Sequence, residues 1–151
     1  MEKSLSVTEA AEQLRSVLGL SPVDLRTYSP AALAYLGDAV YELTVRTVLM
    51  HRGNTSPHAL QQRGSRLSRA AAQAAMAQGL MDQLTDEEKR ILQRGKNAKT
   101  TSMAAHADPK DYRLATGLEA LFGYLYLSDQ AERLLTLMRE GLALLEEGPK
   151  S

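Results

Sequence analysis

Apolar residues fall along this chain in blocks separated by Ser-Pro and glycine signals, and no block alternates convincingly with a period of two. Ser6-Val7-Thr8-Glu9 fits a capping box, in which a serine oxygen and a glutamate satisfy orphan amides, so a short helix is predicted from there to about Leu18, with Gly19 as its stop. Ser29 as N-cap with Pro30 in the first helical position opens a long helix that should end near Arg52, before Gly53-Asn54. Ser56-Pro57 repeats the signal. Because glycine is a poor helix former, the helix it opens is expected to break or bend near Gly64 and restart at Ser68, with the alanine-rich run Arg69 to Ala77 ended by Gly79.

Thr85-Asp86-Glu87-Glu88 is a second capping box, for a helix from Asp86 to about Arg94 that stops at Gly95. Gly95 to Pro109 then reads as a polar loop, long enough to be functional. A further helix should start near Asp111 and run through Leu127, apolar on most sides, and an amphipathic one should run from about Asp129 to Glu147, stopped by Gly148-Pro149. The fold class is therefore all-α. With 151 residues the chain makes one domain, read as an N-terminal extension with a short helix (1–29), a core (30–127) and a C-terminal helix (128–151).

The run Ala34-Tyr35-Leu36-Gly37-Asp38-Ala39-Val40-Tyr41-Glu42 lies in the middle of the long helix. With no clean polar side, that helix is expected to be packed from several directions, where an ionised carboxylate is costly unless a cation or a donor offsets it. Asp38 and Glu42 fall one turn apart on one face. Glu119 repeats the oddity in the helix ending at Leu127. Gly37 precedes Asp38 and Gly123 follows Glu119 by one turn, so if the two helices cross there, Asp38 and Glu119 converge.

The chain has no Cys, which excludes thiolate metal sites, thiol nucleophiles and a disulfide framework. Hard oxygen ligands favour Mg²⁺ or Mn²⁺ over Zn²⁺, and such a site can polarise a phosphoryl group and activate water. A buried Asp or Glu can equally pair with an Arg or cap a neighbouring helix, and pattern alone does not choose. His51, His58 and His106 are isolated and expected on the surface or in packing.

The formal net charge of zero hides a basic middle: Met50 to Ala115 carries eleven basic against six acidic residues. That segment is a candidate polyanion surface, with Lys96 and Lys99 of the polar loop foremost and Arg63, Arg66 and Arg69, three apart, a second stripe. The N-terminus does not look like a signal peptide, and the apolar run from Pro30 to Met50 holds Asp38, Glu42 and Arg46, making it a poor membrane span. A cytoplasmic protein with no membrane partner is expected.

Tyr35-Leu36-Gly37-Asp38-Ala39-Val40-Tyr41-Glu42 and Thr116-Gly117-Leu118-Glu119-Ala120-Leu121-Phe122-Gly123-Tyr124-Leu125-Tyr126-Leu127 together resemble the two halves of a ribonuclease III catalytic domain. The chain is most similar to the mini-ribonuclease III form, which lacks a double-stranded-RNA-binding domain, and Arg94-Gly95-Lys96-Asn97-Ala98-Lys99 is similar to that family's basic motif. The resemblance implies an all-helical, homodimeric endoribonuclease, with Asp38 and Glu119 as catalytic residues and magnesium ligands. It implies cleavage of double-stranded RNA to 5′-phosphate and 3′-hydroxyl ends, in maturation of the large-subunit ribosomal RNA precursor, with a ribosomal protein as a further candidate partner presenting the substrate.

The longer enzymes of the family carry two more acidic residues, where this chain has Ala34 and Thr116. Glu42 and Thr116 are thus candidates to support the ligands rather than to join them. Arg94, Lys96, Asn97 and Lys99 are the expected RNA contacts, ahead of Arg63, Arg66 and Arg69. The alternative on the same fold is a non-catalytic module that holds structured RNA or a ribosome-assembly intermediate.

Overall fold

The computed structural model describes residues 7–98 and 108–147, and every regular element among them is helical. In order these are α1 (Val7–Leu18), α2 (Pro30–His51), α3 (Pro57–Ser68), α4 (Ala70–Leu80), α5 (Asp86–Lys96), α6 (Pro109–Leu127) and α7 (Ala131–Glu147), with 3-10 turns at Leu25–Thr27 and Met81–Gln83. The Ser6 capping box and the Gly148-Pro149 stop lie outside the described residues, as do Lys99 and His106.

The start signals act as their chemistry requires. Ser29 Oγ accepts from the Ala32 amide at 3.0 Å and Ser56 Oγ from the Ala59 amide at 3.1 Å, each with proline in the first turn. Thr85 and Glu88 form the reciprocal capping box, at 3.1 and 2.9 Å. Helix α6 begins two residues earlier than expected, because Asp108 caps it by accepting from the Lys110 amide at 2.8 Å and Pro109 takes the first helical position.

Three glycines read as stops are not. Helix α3 runs through Gly64, and the break comes at Arg69, whose extended backbone (φ −66°, ψ 158°) closes α3 and opens α4. Gly79 lies inside α4 and Gly95 inside α5. The cost of a helical glycine is only about 1 kcal/mol, and tertiary contact outweighs it. A Cβ on Gly79 would lie 2.6 Å from a Leu144 methyl, and one on Gly95 would lie 2.8 Å from the Ala120 Cβ. True stops are Gly19 and Gly53, at φ +67° and +129°.

Helix α6 is the hub, packed against α2, α4, α5 and α7, and ten of its residues from Leu114 to Leu125 are buried. Tyr41 of α2 stacks on Phe122 of α6 with ring centroids 6.2 Å apart, and its hydroxyl donates to the Leu67 carbonyl at 2.5 Å. Leu80, Leu92, Leu118, Leu121 and Leu137 complete the centre of the core. Helix α1 packs on α7, and Arg15 pairs at 2.7 Å with Asp129 in the turn that precedes α7.

Helix α2 departs from expectation. It is not packed from several directions: it buries one stripe, Leu33, Ala34, Gly37, Tyr41, Val45 and Leu49, and leaves Asp38 exposed. Its outer face keeps apolar side chains in solvent, with Tyr35 85% and Leu43 69% exposed. Apolar on both sides but covered on one, it has a face that no other part of the described chain covers.

Glu88 is a buried carboxylate held by a strong pair. Arg133 of α7 donates to both its oxygens at 2.9 Å, and this holds its carboxyl below the usual glutamate range. The stabilisation is in place above the unfolded pKa and is lost as pH falls through the lower folded value. Glu88→Gln should therefore cost about 2 kcal/mol near neutral pH, with the gap from wild type narrowing in acid. Paired thermal melts at neutral and acid pH check this, and a gap that does not shrink would contradict it.

Candidate active site

Two glycines create the site. A Cβ on Gly37 would overlap the Glu119 carbonyl and lie 2.9 Å from the Gly123 nitrogen, while one on Gly123 would overlap the Leu33 carbonyl. With no Cβ on either side, the backbones of α2 and α6 touch. Asp38 follows one contact residue and Glu119 is the other, so the crossing sets their side chains side by side.

The two carboxyls lie close enough to act on one another's protonation. Glu119 is half-buried and Asp38 stands on the exposed rim, so the pair opens to solvent. Burial, then the Asp38 carboxylate beside it, push the Glu119 carboxyl up to about 8. Glu42, one turn along α2, adds a smaller repulsion. Its own carboxylate lies 3.6 Å from Arg46, also on α2. Thr116 is buried on α6, and its hydroxyl donates to the Tyr112 carbonyl at 3.0 Å.

The donor set suits a hard divalent cation. With Glu119 held protonated beside Asp38, the pair is two oxygen ligands that do not ionise together readily, and a dication can take the place of the proton. Among the described residues no group of three or more His, Asp or Glu is placed to hold a metal ion, so the pair supplies two protein oxygen ligands at most.

The basic groups divide. The close contact of Gly95 and Gly117 packs the end of α5 on α6: a Cβ on Gly117 would lie 2.6 Å from the Leu92 carbonyl and 3.2 Å from the Lys96 nitrogen. Arg94, Lys96 and Asn97 thus stand at the end of α5 that packs on Gly117, two residues before Glu119 in α6. Arg63, Arg66 and Arg69 do not form one helical stripe, because the chain turns at Arg69. Arg69 lines a hollow of about 720 Å³ between α2 and α3, with Glu42, Arg46, Leu60 and Ser68, whereas Arg66 lines a shallower one with His58 and Gln62.

Gln73 is the group that sequence reasoning passed over. The run from Arg69 to Ala77 reads as packing, yet Gln73 is 3% exposed and its Nε2 donates to the Ser68 carbonyl at 2.8 Å. The available signal is a single long polar residue one position before Ala74 and four before Ala77, on the face that α4 buries.

Comparison with known proteins gives a consistent picture. The ribonuclease III domain profile matches residues 31–130. The chain is 44% identical over 122 residues to the mini-ribonuclease 3 of Symbiobacterium thermophilum, covering 81% of this chain and 94% of that protein. It is 47% identical over 114 residues to the mini-ribonuclease 3 of Gloeobacter violaceus, covering 74% and 81%. A crystal structure of a Fusobacterium nucleatum protein superposes with a TM-score of 0.71 at 31% identity, over 82% of this chain and 98% of that one.

Proposed function

Since the chain belongs to the ribonuclease III family, in its mini-ribonuclease 3 branch, and is an endoribonuclease acting on structured RNA, we propose that Asp38 and Glu119 form its catalytic centre. Enzymes of this family depend on divalent metals and act on double-stranded RNA, typically as dimers. The finer reading is a Mg²⁺ site, with Mn²⁺ as a substitute, cutting duplex regions of the large-subunit ribosomal RNA precursor in the cytoplasm and leaving 5′-phosphate ends. The observation that carries it is the backbone contact of α2 and α6 at Gly37 and Gly123, which sets Asp38 beside Glu119.

The chain's own residues divide the work. Asp38 and Glu119 bind and orient the cation, one from the solvent rim and one from within the fold. When bound, the ion supplies Lewis-acid stabilisation of the phosphoryl transition state and lowers the pKa of the attacking water. Arg94, Lys96 and Lys99 neutralise phosphates and the Asn97 amide donates hydrogen bonds to them, so affinity falls with salt. A-form RNA is read by shape and phosphates, and base stacking on the tyrosines is not needed. Glu42 and Thr116 support the ligands without joining them. A second copy of the chain covers the outer face of α2, where Tyr35 and Leu43 are exposed, and brings two centres to one duplex.

Incubation with a structured precursor RNA tests this reading. Cleavage is expected in Mg²⁺ or Mn²⁺ and none in EDTA, with product ends that accept a ligase requiring 5′-phosphate. Cleavage that persists in EDTA, or products with 5′-hydroxyl ends, would overturn it.

A further inference from the structure

We infer that duplex RNA is held along the outer face of α5 and not only at its C-terminal end: Lys89 and Arg90 are further phosphate contacts, a turn or more beyond Arg94 and Asn97. The inference rests on the RNA-contact reading of Arg94 and Lys96 above and extends it away from the carboxylate pair.

Helix α5 separates its charges. Glu87 accepts from the Tyr124 hydroxyl of α6 and Glu88 is held by Arg133 of α7, so two of the three acidic residues in its first turn are drawn onto neighbouring helices. The cations are left outside. Lys89, Arg90 and Arg94 are exposed and Lys96 is half-buried, and none of the four forms an ion pair among the described residues. Asp86 stands one turn before Arg90, the favourable order for a helical pair, and still does not reach it. At about 100° per residue, Arg90, Gln93 and Asn97 fall near one line along the solvent face, with Lys89 and Lys96 on one flank and Arg94 on the other. Gln93 Nε2 donates to Asn97 Oδ1 at 3.4 Å, so hydrogen-bonding groups fill the space between the charges.

The fold itself accounts for only half of this set. Arg94 and Lys96 sit in the last turn, where the helix dipole favours cations. Lys89 and Arg90 are the fourth and fifth residues of the helix, nearer its positive end, and Arg90 is a like-charge neighbour one turn from Arg94. Both placements act against the helix, and a polyanion lying along that face turns both to advantage. The location suits the substrate. Helix α5 packs on α2 and α6, which carry Asp38 and Glu119, and its basic end is fixed by the contact of Gly95 with Gly117. From Asn97 back to Arg90 the helix rises about 10 Å, so the cations can meet more than one phosphate. Contacts of this kind set the register and orientation of a duplex without reading its sequence.

Lys89→Gln and Arg90→Gln test the inference with fluorescent duplex RNA in EDTA, where binding is read without cleavage, over a series of KCl concentrations. Each variant should raise Kd about 5–10-fold at about 0.1 M salt and lower the slope of log Kd against log[KCl] by about one. In Mg²⁺ each should raise KM by a similar factor with kcat unchanged. Melting temperatures should stay the same or rise, since a charge that opposes the helix is gone. Arg90→Lys keeps the charge and should keep the wild-type slope. Arg139→Gln, which removes an exposed cation from α7, controls for net charge and should leave Kd and slope unchanged. Wild-type Kd and slope in both α5 variants would overturn the inference, as would an equal loss in Arg139→Gln. Weaker binding in Arg94→Gln/Lys96→Gln without any in Lys89→Gln/Arg90→Gln overturns this inference alone, while wild-type binding in both double variants overturns the RNA-contact reading beneath it as well.

Discussion

Asp38→Asn and Glu119→Gln should each lower kcat for duplex RNA by at least about 10³-fold, because each removes one of two charged ligands worth several kcal/mol at the transition state. Both changes preserve shape, so the loss is chemical and not structural. Stability provides the control. In metal-free protein the Glu119 carboxyl, pushed up to about 8 by burial and by Asp38, keeps its proton where an unfolded glutamate has lost it. The folded state then binds more protons than the unfolded one, and stability falls as pH rises from about 4.3, the ordinary glutamate value, towards 8. Glu119→Gln escapes that fall, so at pH 8 in EDTA it should melt no lower than wild type while being inactive in Mg²⁺. A variant that cleaves at the wild-type rate would remove its residue from the centre.

Gly37→Ala should be the most damaging single methyl group in the protein. The new Cβ meets the Glu119 carbonyl and the Gly123 nitrogen, both backbone atoms that cannot swing aside. Overpacking of this kind costs about 3 kcal/mol or more, which for a chain of this size lowers the melting temperature by about 6–12 °C. Relief comes only by moving α2 off α6, and that separates Asp38 from Glu119, so activity falls beyond what the loss of folded protein explains. Gly64→Ala is the contrast. Its Cβ would find only a Leu49 methyl at 3.6 Å, an ordinary contact, and the better helix former should leave stability unchanged or raise it by up to about 1 kcal/mol. Equal melting temperatures for the two variants would mean that the α2–α6 contact does not position the site.

The same two glycines show what is legible in a sequence and what is not. Ser29-Pro30, Ser56-Pro57 and the Thr85 box define helix starts because a cap is made by residues three apart, all in view along the chain. Gly64, Gly79 and Gly95 read as stops and are not, because a glycine that ends a helix and one that admits a neighbour look alike until the neighbour is placed. The pairing of Asp38 with Glu119 was legible from two carboxylates flanked by small residues in two apolar helices. The burial of Gln73 was not, since its amide is held on the Ser68 carbonyl at a corner between α3 and α4 that the sequence places elsewhere. Nor was the exposure of Asp38: the apolar outer face of α2 mimics burial in sequence, although no other part of the described chain covers Tyr35 or Leu43.

Direct binding of a divalent cation to the pair is the claim on which the rest depends. Mn²⁺ titrated into RNA-free protein and followed by electron paramagnetic resonance measures it without any cleavage step. A bound-ion signal in wild type that disappears in the Asp38→Asn/Glu119→Gln double variant, with the fold intact by circular dichroism, is the expected result. Equal Mn²⁺ binding by the two proteins would contradict a metal site at the α2–α6 crossing.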